Sequence, residues 1–181
     1  FIGFRSPWGA PDAQACRQWS KDLSEYIIKK KPDIVLTTMA ARDQLADDGS
    51  GRSQAQQMTS GLESYWKRWR AAGIRVLPII NPPYNAEVRP ADCLVLNEKD
   101  PVSCARPTAE ANPTDPIATA ARDLRIPALD LTDRFCDATS CYAAIGGVPV
   151  YYDADHLNLE YVRLLGPEIG KAIDAAIAAK Q

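Results

Sequence analysis

A single histidine carries the clearest chemical signal in this 181-residue sequence. His156 stands three residues after Asp153, in the stretch Tyr-Asp-Ala-Asp-His-Leu-Asn. An imidazole held by a carboxylate can act as a general base near neutral pH and can activate a serine nucleophile. One turn of backbone brings the side chains of Asp153 and His156 together, whereas Asp155 is adjacent and less well placed. A lone histidine with a loop or packing role is the competing interpretation.

No serine in the sequence has the setting of an activated nucleophile. Neither a Gly-x-Ser-x-Gly elbow nor a Gly-Asp-Ser block occurs. Ser50 lies between two glycines in a polar stretch typical of a linker, and Ser6 lacks a preceding strand that would present it. The sequence therefore predicts the His and Asp of a Ser-His-Asp mechanism without the serine.

Composition excludes several other functions. The net charge of -2 and the pI of about 5.5 give no electrostatic basis for binding nucleic acid or an anionic membrane. No apolar run approaches the roughly 20 residues that cross a bilayer. No metal or nucleotide motif occurs, so we expect neither a metal nor a cofactor. Since the chain starts at Phe1 without Met, we expect it to be a soluble piece of a longer protein.

Five cysteines indicate the compartment. Cys136 and Cys141 bracket a tight loop. Cys93 and Cys104 bracket a polar segment without clear periodicity, which we expect to be a long, irregular loop. We therefore predict two local disulfides. A zinc site is the competing interpretation, but there is no Cys-x-x-Cys spacing and only one imidazole. Two disulfides favour an oxidising, extracytoplasmic compartment. Cys16 is left over, and we expect it to have a partner elsewhere.

Helices and short apolar strands alternate along the chain. Apolar spacing predicts helix 12–31, strand 33–39, helix 54–72, strand 74–80, a helix from 115, strand 127–131, an extended segment 148–152 and a last helix after 158. Gly73 suits a helix C-terminus, and Asp115 followed by Pro116 suits a helix start. Asn158 can cap the last helix, which could break at 166–167.

This alternation predicts an α/β fold, in which a parallel sheet is covered by helices on both faces. No repeat or linker divides the chain, so we expect a single domain over 1–181. Functional residues in such sheets follow the carboxyl ends of the strands. We therefore expect the loops after 38, 80 and 131 to meet the Asp-His turn at one edge.

Several sequence blocks occur in one order. They are Cys-Arg-Gln-Trp at 16–19, Pro-Asp-Ile-Val-Leu at 32–36, Val-Leu-Pro-Ile-Ile at 76–80, the two cysteine pairs, and Val-Tyr-Tyr-Asp-Ala-Asp-His-Leu-Asn at 150–158. Together they resemble the SGNH domain fused to bacterial membrane acyltransferase-3 proteins, over nearly the whole chain.

The resemblance implies a three-layer, flavodoxin-like α/β fold in an extracytoplasmic, membrane-tethered position. It implies transfer of an acyl group, often acetyl, to a cell-envelope glycan, with the acyl donor delivered by a membrane acyltransferase domain. His156 would be the base and Asp153 its orienting carboxylate.

The sequence departs from this family in two places. Members begin with a strand ending in Gly-Asp-Ser, which carries the nucleophile; we expect that strand, and the partner of Cys16, upstream of Phe1. A cleaved piece, another chain, or residues 1–4 could instead complete the sheet. Many members also place an oxyanion Asn after the strand at 33–39, where this chain has Arg42, which could bind an oxyanion or a substrate carboxylate, or form a structural ion pair.

Two classes of function follow. The first is an extracytoplasmic O-acyltransferase whose serine lies outside this chain, or a secreted carbohydrate esterase that uses water as the acceptor. The second is a non-catalytic glycan- or partner-binding module that keeps the fold without the chemistry.

Overall fold

The computed structural model describes residues 10–39, 48–83, 90–112, 114–153 and 156–179. The described helices are α1 (Ala10–Lys30), α2 (Gln54–Ala71), α3 (Pro90–Leu96), α4 (Thr108–Ala111), α5 (Pro116–Asp123) and α6 (Leu159–Ala178). The described strands are β1 (Ile34–Thr37), β2 (Arg75–Pro78), β3 (Arg106–Pro107), β4 (Ser140–Cys141), β5 (Ala144–Ile145) and β6 (Val148–Pro149). Mixed helices and strands confirm the α/β class.

The chain divides into two compact units. Unit 1 comprises Phe1–Asn81, Thr114–Leu129 and Ile173–Gln181, and unit 2 comprises Pro82–Pro113 and Asp130–Ala172. The single domain over 1–181 stays a prediction. Within the described ranges, no helix has both the length and the apolar character needed to span a membrane.

Unit 1 is built on a parallel strand pair. β1 and β2 pair in parallel with Ile34 opposite Arg75. The predicted third strand is reduced to a parallel bridge between Ile79 and Leu129, in which the Leu129 amide donates to the Pro78 carbonyl at 2.8 Å. Pro127 has no amide hydrogen to donate, so it cannot extend this ladder toward the N-terminus.

α2 supplies the largest share of the core of unit 1. Ser53 and Gln56 form a reciprocal capping box at its start, which satisfies two backbone amides. Its buried apolar stripe confirms the predicted helical spacing and consists of Met58, Leu62, Tyr65, Trp66 and Trp69. The Trp69 indole donates to the buried Ser24 hydroxyl on α1 at 2.9 Å. Gly73 follows with φ of 80°, a left-handed conformation that glycine adopts without strain.

Two predictions about local structure in unit 2 are corrected. The segment between Cys93 and Cys104 is not an irregular loop, because it contains the end of α3 and a short 3₁₀ turn (Pro101–Cys104). α6 also continues through Pro167 without a break. Gly166 and Pro167 lie on the exposed side of that helix, so water can solvate the carbonyl that loses its partner.

Candidate functional site

The Asp-His pair lies in unit 2, on a second short hairpin that directly follows the hairpin of β5 and β6. β5 and β6 pair in an antiparallel manner around Gly146 and Gly147, whose φ angles of 59° and 81° suit a tight two-residue turn. The chain then folds back once more, because Tyr151 bridges Leu157 in an antiparallel manner. The Asn158 amide donates to the Val150 carbonyl at 2.9 Å and closes the base of this second turn. The Asp-His segment is therefore held at both ends by backbone pairing.

Asp153 fixes both the backbone and the side chain of His156. Its Oδ1 accepts a hydrogen bond from the His156 amide at 2.7 Å, and its Oδ2 lies 2.8 Å from His156 Nδ1. The Asp153 side chain is 29% exposed and the His156 side chain 75% exposed. One carboxylate thus orients the imidazole of a largely exposed histidine.

This contact assigns the tautomer of the neutral imidazole. A carboxylate accepts hydrogen bonds, so the proton lies on Nδ1, which faces Asp153. Nε2 then carries the lone pair and is the atom available as a base. The same carboxylate stabilises the imidazolium that forms when Nε2 takes up a proton.

A buried tyrosine anchors the hairpin that carries the Asp-His pair to the core of unit 2. Tyr151 is 3% exposed, and its hydroxyl donates to the Pro83 carbonyl at 2.6 Å. Burial raises the pKa of Tyr151 well above its ordinary value, so the phenol stays protonated and remains a donor. The other buried members of its cluster are Phe135, Val150, Tyr161 and Leu165.

α6 begins directly after the site and is capped by Asn158, as the sequence predicted. The Asn158 side chain accepts from the Glu160 amide at 2.9 Å, which satisfies an amide at the helix start. Further along the helix, Tyr161 packs against Phe135 with ring centroids 5.5 Å apart. The Asp-His turn is therefore followed at once by a helix that is anchored in the core of unit 2.

Both predicted disulfides are present. Cys93 pairs with Cys104, and Cys136 pairs with Cys141. Cys16 is the free cysteine and is half-buried on α1. The small loop between Cys136 and Cys141 contains Asp137, whose carboxylate accepts several hydrogen bonds.

Asp137 organises that loop through four contacts to its carboxylate. The carboxylate accepts from the amides of Thr139 and Ser140 at 2.8 Å each, and from the hydroxyls of Thr139 and Tyr142. The Tyr142 hydrogen bond, followed by the amide bonds, holds the pKa of Asp137 well below its usual range. The loop is therefore most stable with Asp137 ionised.

The carboxyl ends of the unit 1 strands carry a second polar network. The Asn81 side chain donates to the Met39 carbonyl. The Asn81 amide donates to Asp115 at 2.9 Å, and the same carboxylate caps α5 by accepting from the Ile117 amide at 2.7 Å. The sequence indicated the capping role of Asp115 but not its link to Asn81.

The predicted site residues fall into two groups. His156 and Asp153 are in direct contact, whereas Arg42 and Asp155 lie outside the described residues. The meeting of the strand-end loops with the Asp-His turn at one edge stays a prediction. In the part of the chain that the structure describes, no cluster of three His, Cys, Asp or Glu side chains could hold a metal ion.

Fold and site together define an α/β protein that presents a carboxylate-bound imidazole on an exposed hairpin. The chain belongs to the family described as the SGNH domain fused to AT3 domains, whose model matches residues 2–171. The resemblance found in the sequence is confirmed, and the chain is an acyltransferase-associated SGNH module. Comparison with curated proteins gives no match.

Proposed function

We propose that this chain is the SGNH part of an extracytoplasmic O-acyltransferase that acylates a cell-envelope glycan. The observation that carries the proposal is the 2.8 Å contact between His156 Nδ1 and Asp153 Oδ2, on a histidine whose side chain is 75% exposed. Family membership supports the acyltransferase association. The two disulfides favour an oxidising compartment.

The reaction divides into two transfers on one serine. In the first, Nε2 of His156 takes the proton of the serine hydroxyl as its oxygen attacks the acyl carbonyl, and then gives that proton to the leaving group of the donor. In the second, Nε2 deprotonates a sugar hydroxyl that attacks the acyl-serine, and the proton returns to the released serine. Asp153 remains ionised throughout and stabilises the imidazolium.

The serine belongs to a segment outside residues 1–181, as does the first strand of the three-layer sheet. Support comes from the sequence, which lacks the Gly-Asp-Ser block, and from β1. Among the described residues β1 pairs only with β2, and its Leu36 is 41% exposed. A strand on the open edge of β1 would pair its backbone and extend the sheet face from which Leu36 projects. Cys16 would pair with a cysteine in the same segment.

Acylation of the glycan by the complete, membrane-tethered protein tests the proposal. We expect His156→Ala and Asp153→Ala to lower the rate of glycan acylation by about 10³-fold or more, since the first removes the base and the second removes the carboxylate that orients it. Asp133→Asn is the matched control, because Asp133 is an exposed carboxylate in the same unit. Wild-type acylation in both the His156 and Asp153 variants would refute the proposal.

A non-catalytic binding module is the second candidate. The specific observation in its favour is that no serine in this sequence has a nucleophile motif. A binding module would retain the glycan while substitutions at His156 and Asp153 leave acylation unchanged. An esterase would instead release the acyl group to water with the same dependence on both residues.

A further inference from the structure

An exposed tyrosine lies beside the candidate base. Tyr151 and Leu157 form the antiparallel bridge, and the Tyr152 amide donates to the His156 carbonyl at 2.8 Å. Tyr152 is therefore opposite His156 across the hairpin. Residues that face each other on antiparallel strands project to the same side, with Cβ atoms about 5 Å apart.

Burial shows which side of the hairpin each residue occupies. Successive residues on a strand point to opposite faces. Tyr151 is 3% exposed and belongs to the core, whereas Tyr152 is 74% exposed. The His156 side chain is 75% exposed as well, so Tyr152 and His156 both present their side chains to solvent at this turn.

Such a ring is suited to one class of ligand. An aromatic face attracts the polarised C–H groups on the flat side of a sugar ring, and the phenol hydroxyl can donate to or accept from a sugar hydroxyl. Asp153, which binds the neighbouring imidazole, would repel a carboxylate or phosphate on the ligand. These features favour a neutral pyranose over an acidic sugar.

We infer that Tyr152 is the platform for the acceptor sugar, which stacks on the phenol ring with one hydroxyl directed toward Nε2 of His156. The acceptor role rests on the proposed function, but sugar binding itself does not. The sequence did not single out Tyr152, since only the hairpin pairing separates it from its buried neighbour Tyr151.

The single histidine makes binding directly observable. In a carbon–proton NMR spectrum of the chain, His156 gives the only imidazole Cε1–Hε1 signal. Titration with maltotetraose, cellotetraose and tetra-N-acetylchitotetraose supplies three neutral oligosaccharide probes. We expect at least one of them to shift this signal in a saturable manner, and a galacturonic acid tetramer to bind more weakly.

Substitutions then distinguish stacking on Tyr152 from nonspecific binding of the oligosaccharide. Tyr152→Leu should weaken binding of the responsive oligosaccharide about fivefold, the range of an aromatic contact, while Tyr152→Phe keeps the ring and stays within about twofold. Tyr26→Leu is the control, because Tyr26 is 57% exposed on α1 in unit 1. Equal affinity of Tyr152→Leu and wild type, or no shift with any of the three probes, overturns the inference.

Failure of the sugar-binding inference can be distinguished from failure of the proposed acyl transfer. Tyr152-dependent sugar binding combined with wild-type acylation in His156→Ala would support the role of Tyr152 in sugar binding and refute the proposed reaction. His156-dependent acylation combined with unchanged sugar binding in Tyr152→Leu would support the proposed reaction and refute the role of Tyr152 in sugar binding.

Discussion

The hydrogen bond between Tyr151 and Pro83 gives the sharpest prediction about stability. Tyr151→Phe removes one hydroxyl and leaves the rest of the ring in place. The lost bond is 2.6 Å long, and both residues are buried, so the Pro83 carbonyl would lose its partner away from water. Leaving a buried acceptor unsatisfied costs about 1–3 kcal/mol. For a chain of this size that corresponds to a fall in Tm of about 2–4 °C per kcal/mol.

Urea denaturation followed by near-ultraviolet circular dichroism measures this cost. Tyr152→Phe is a matched control, because it removes a hydroxyl from the next residue, which is 74% exposed. We expect the control to stay within about 0.5 kcal/mol of wild type. If Tyr151→Phe is as stable as Tyr152→Phe, the hydroxyl does not anchor the hairpin and the reasoning is wrong.

Three further predictions concern other parts of the chain. The pKa of Asp137 is held below that of the unfolded chain, chiefly by Tyr142, so its stabilisation is complete above about pH 4 and is lost as the pH falls further. Asp137→Asn should therefore lower the urea midpoint at pH 7 and flatten its decline below pH 4, and an unchanged decline would contradict this. Asp115→Ala should cost about 1–3 kcal/mol in the same assay, because it uncaps α5 and leaves the Asn81 amide unpaired; a cost under about 0.5 kcal/mol would refute it. Alkylation of the unreduced chain followed by mass spectrometry should modify only Cys16, whereas five modified cysteines would exclude both disulfides.

Local patterns predicted the features that depend on neighbouring residues. The stripe from Met58 to Trp69 marked α2 because helical spacing alone decides which side chains share a face. Asp115 and Asn158 were recognised as caps because a cap acts on amides two or three residues away. The pairing of Cys136 with Cys141 followed from their short separation.

Contacts between distant segments could not be predicted. The partners Tyr151 and Pro83 are 68 residues apart, and nothing in either local pattern specifies the other. The same holds for the link from Asn81 to Asp115. The reduction of strand 127–131 to one bridge at Leu129 also depends on which partner strand is present, so apolar content alone could not fix its length.

The continuous α6 shows a local rule overridden by packing. Gly166 and Pro167 are poor helix residues, and the sequence indicated a break there. Leu165 and Ile169 lie on either side of them and pack into the same cluster of unit 2. Helical backbone between these two side chains keeps both on the buried face, which outweighs one missing hydrogen bond.

Covalent labelling of the activated serine tests the catalytic assignment most directly. A fluorophosphonate reacts with a serine only when a base activates its hydroxyl. We expect the complete protein to be labelled at a serine outside residues 1–181, and we expect His156→Ala to remove the label while Asp133→Asn keeps it. Absence of label in the complete wild-type protein, or equal labelling of His156→Ala, would contradict the catalytic assignment.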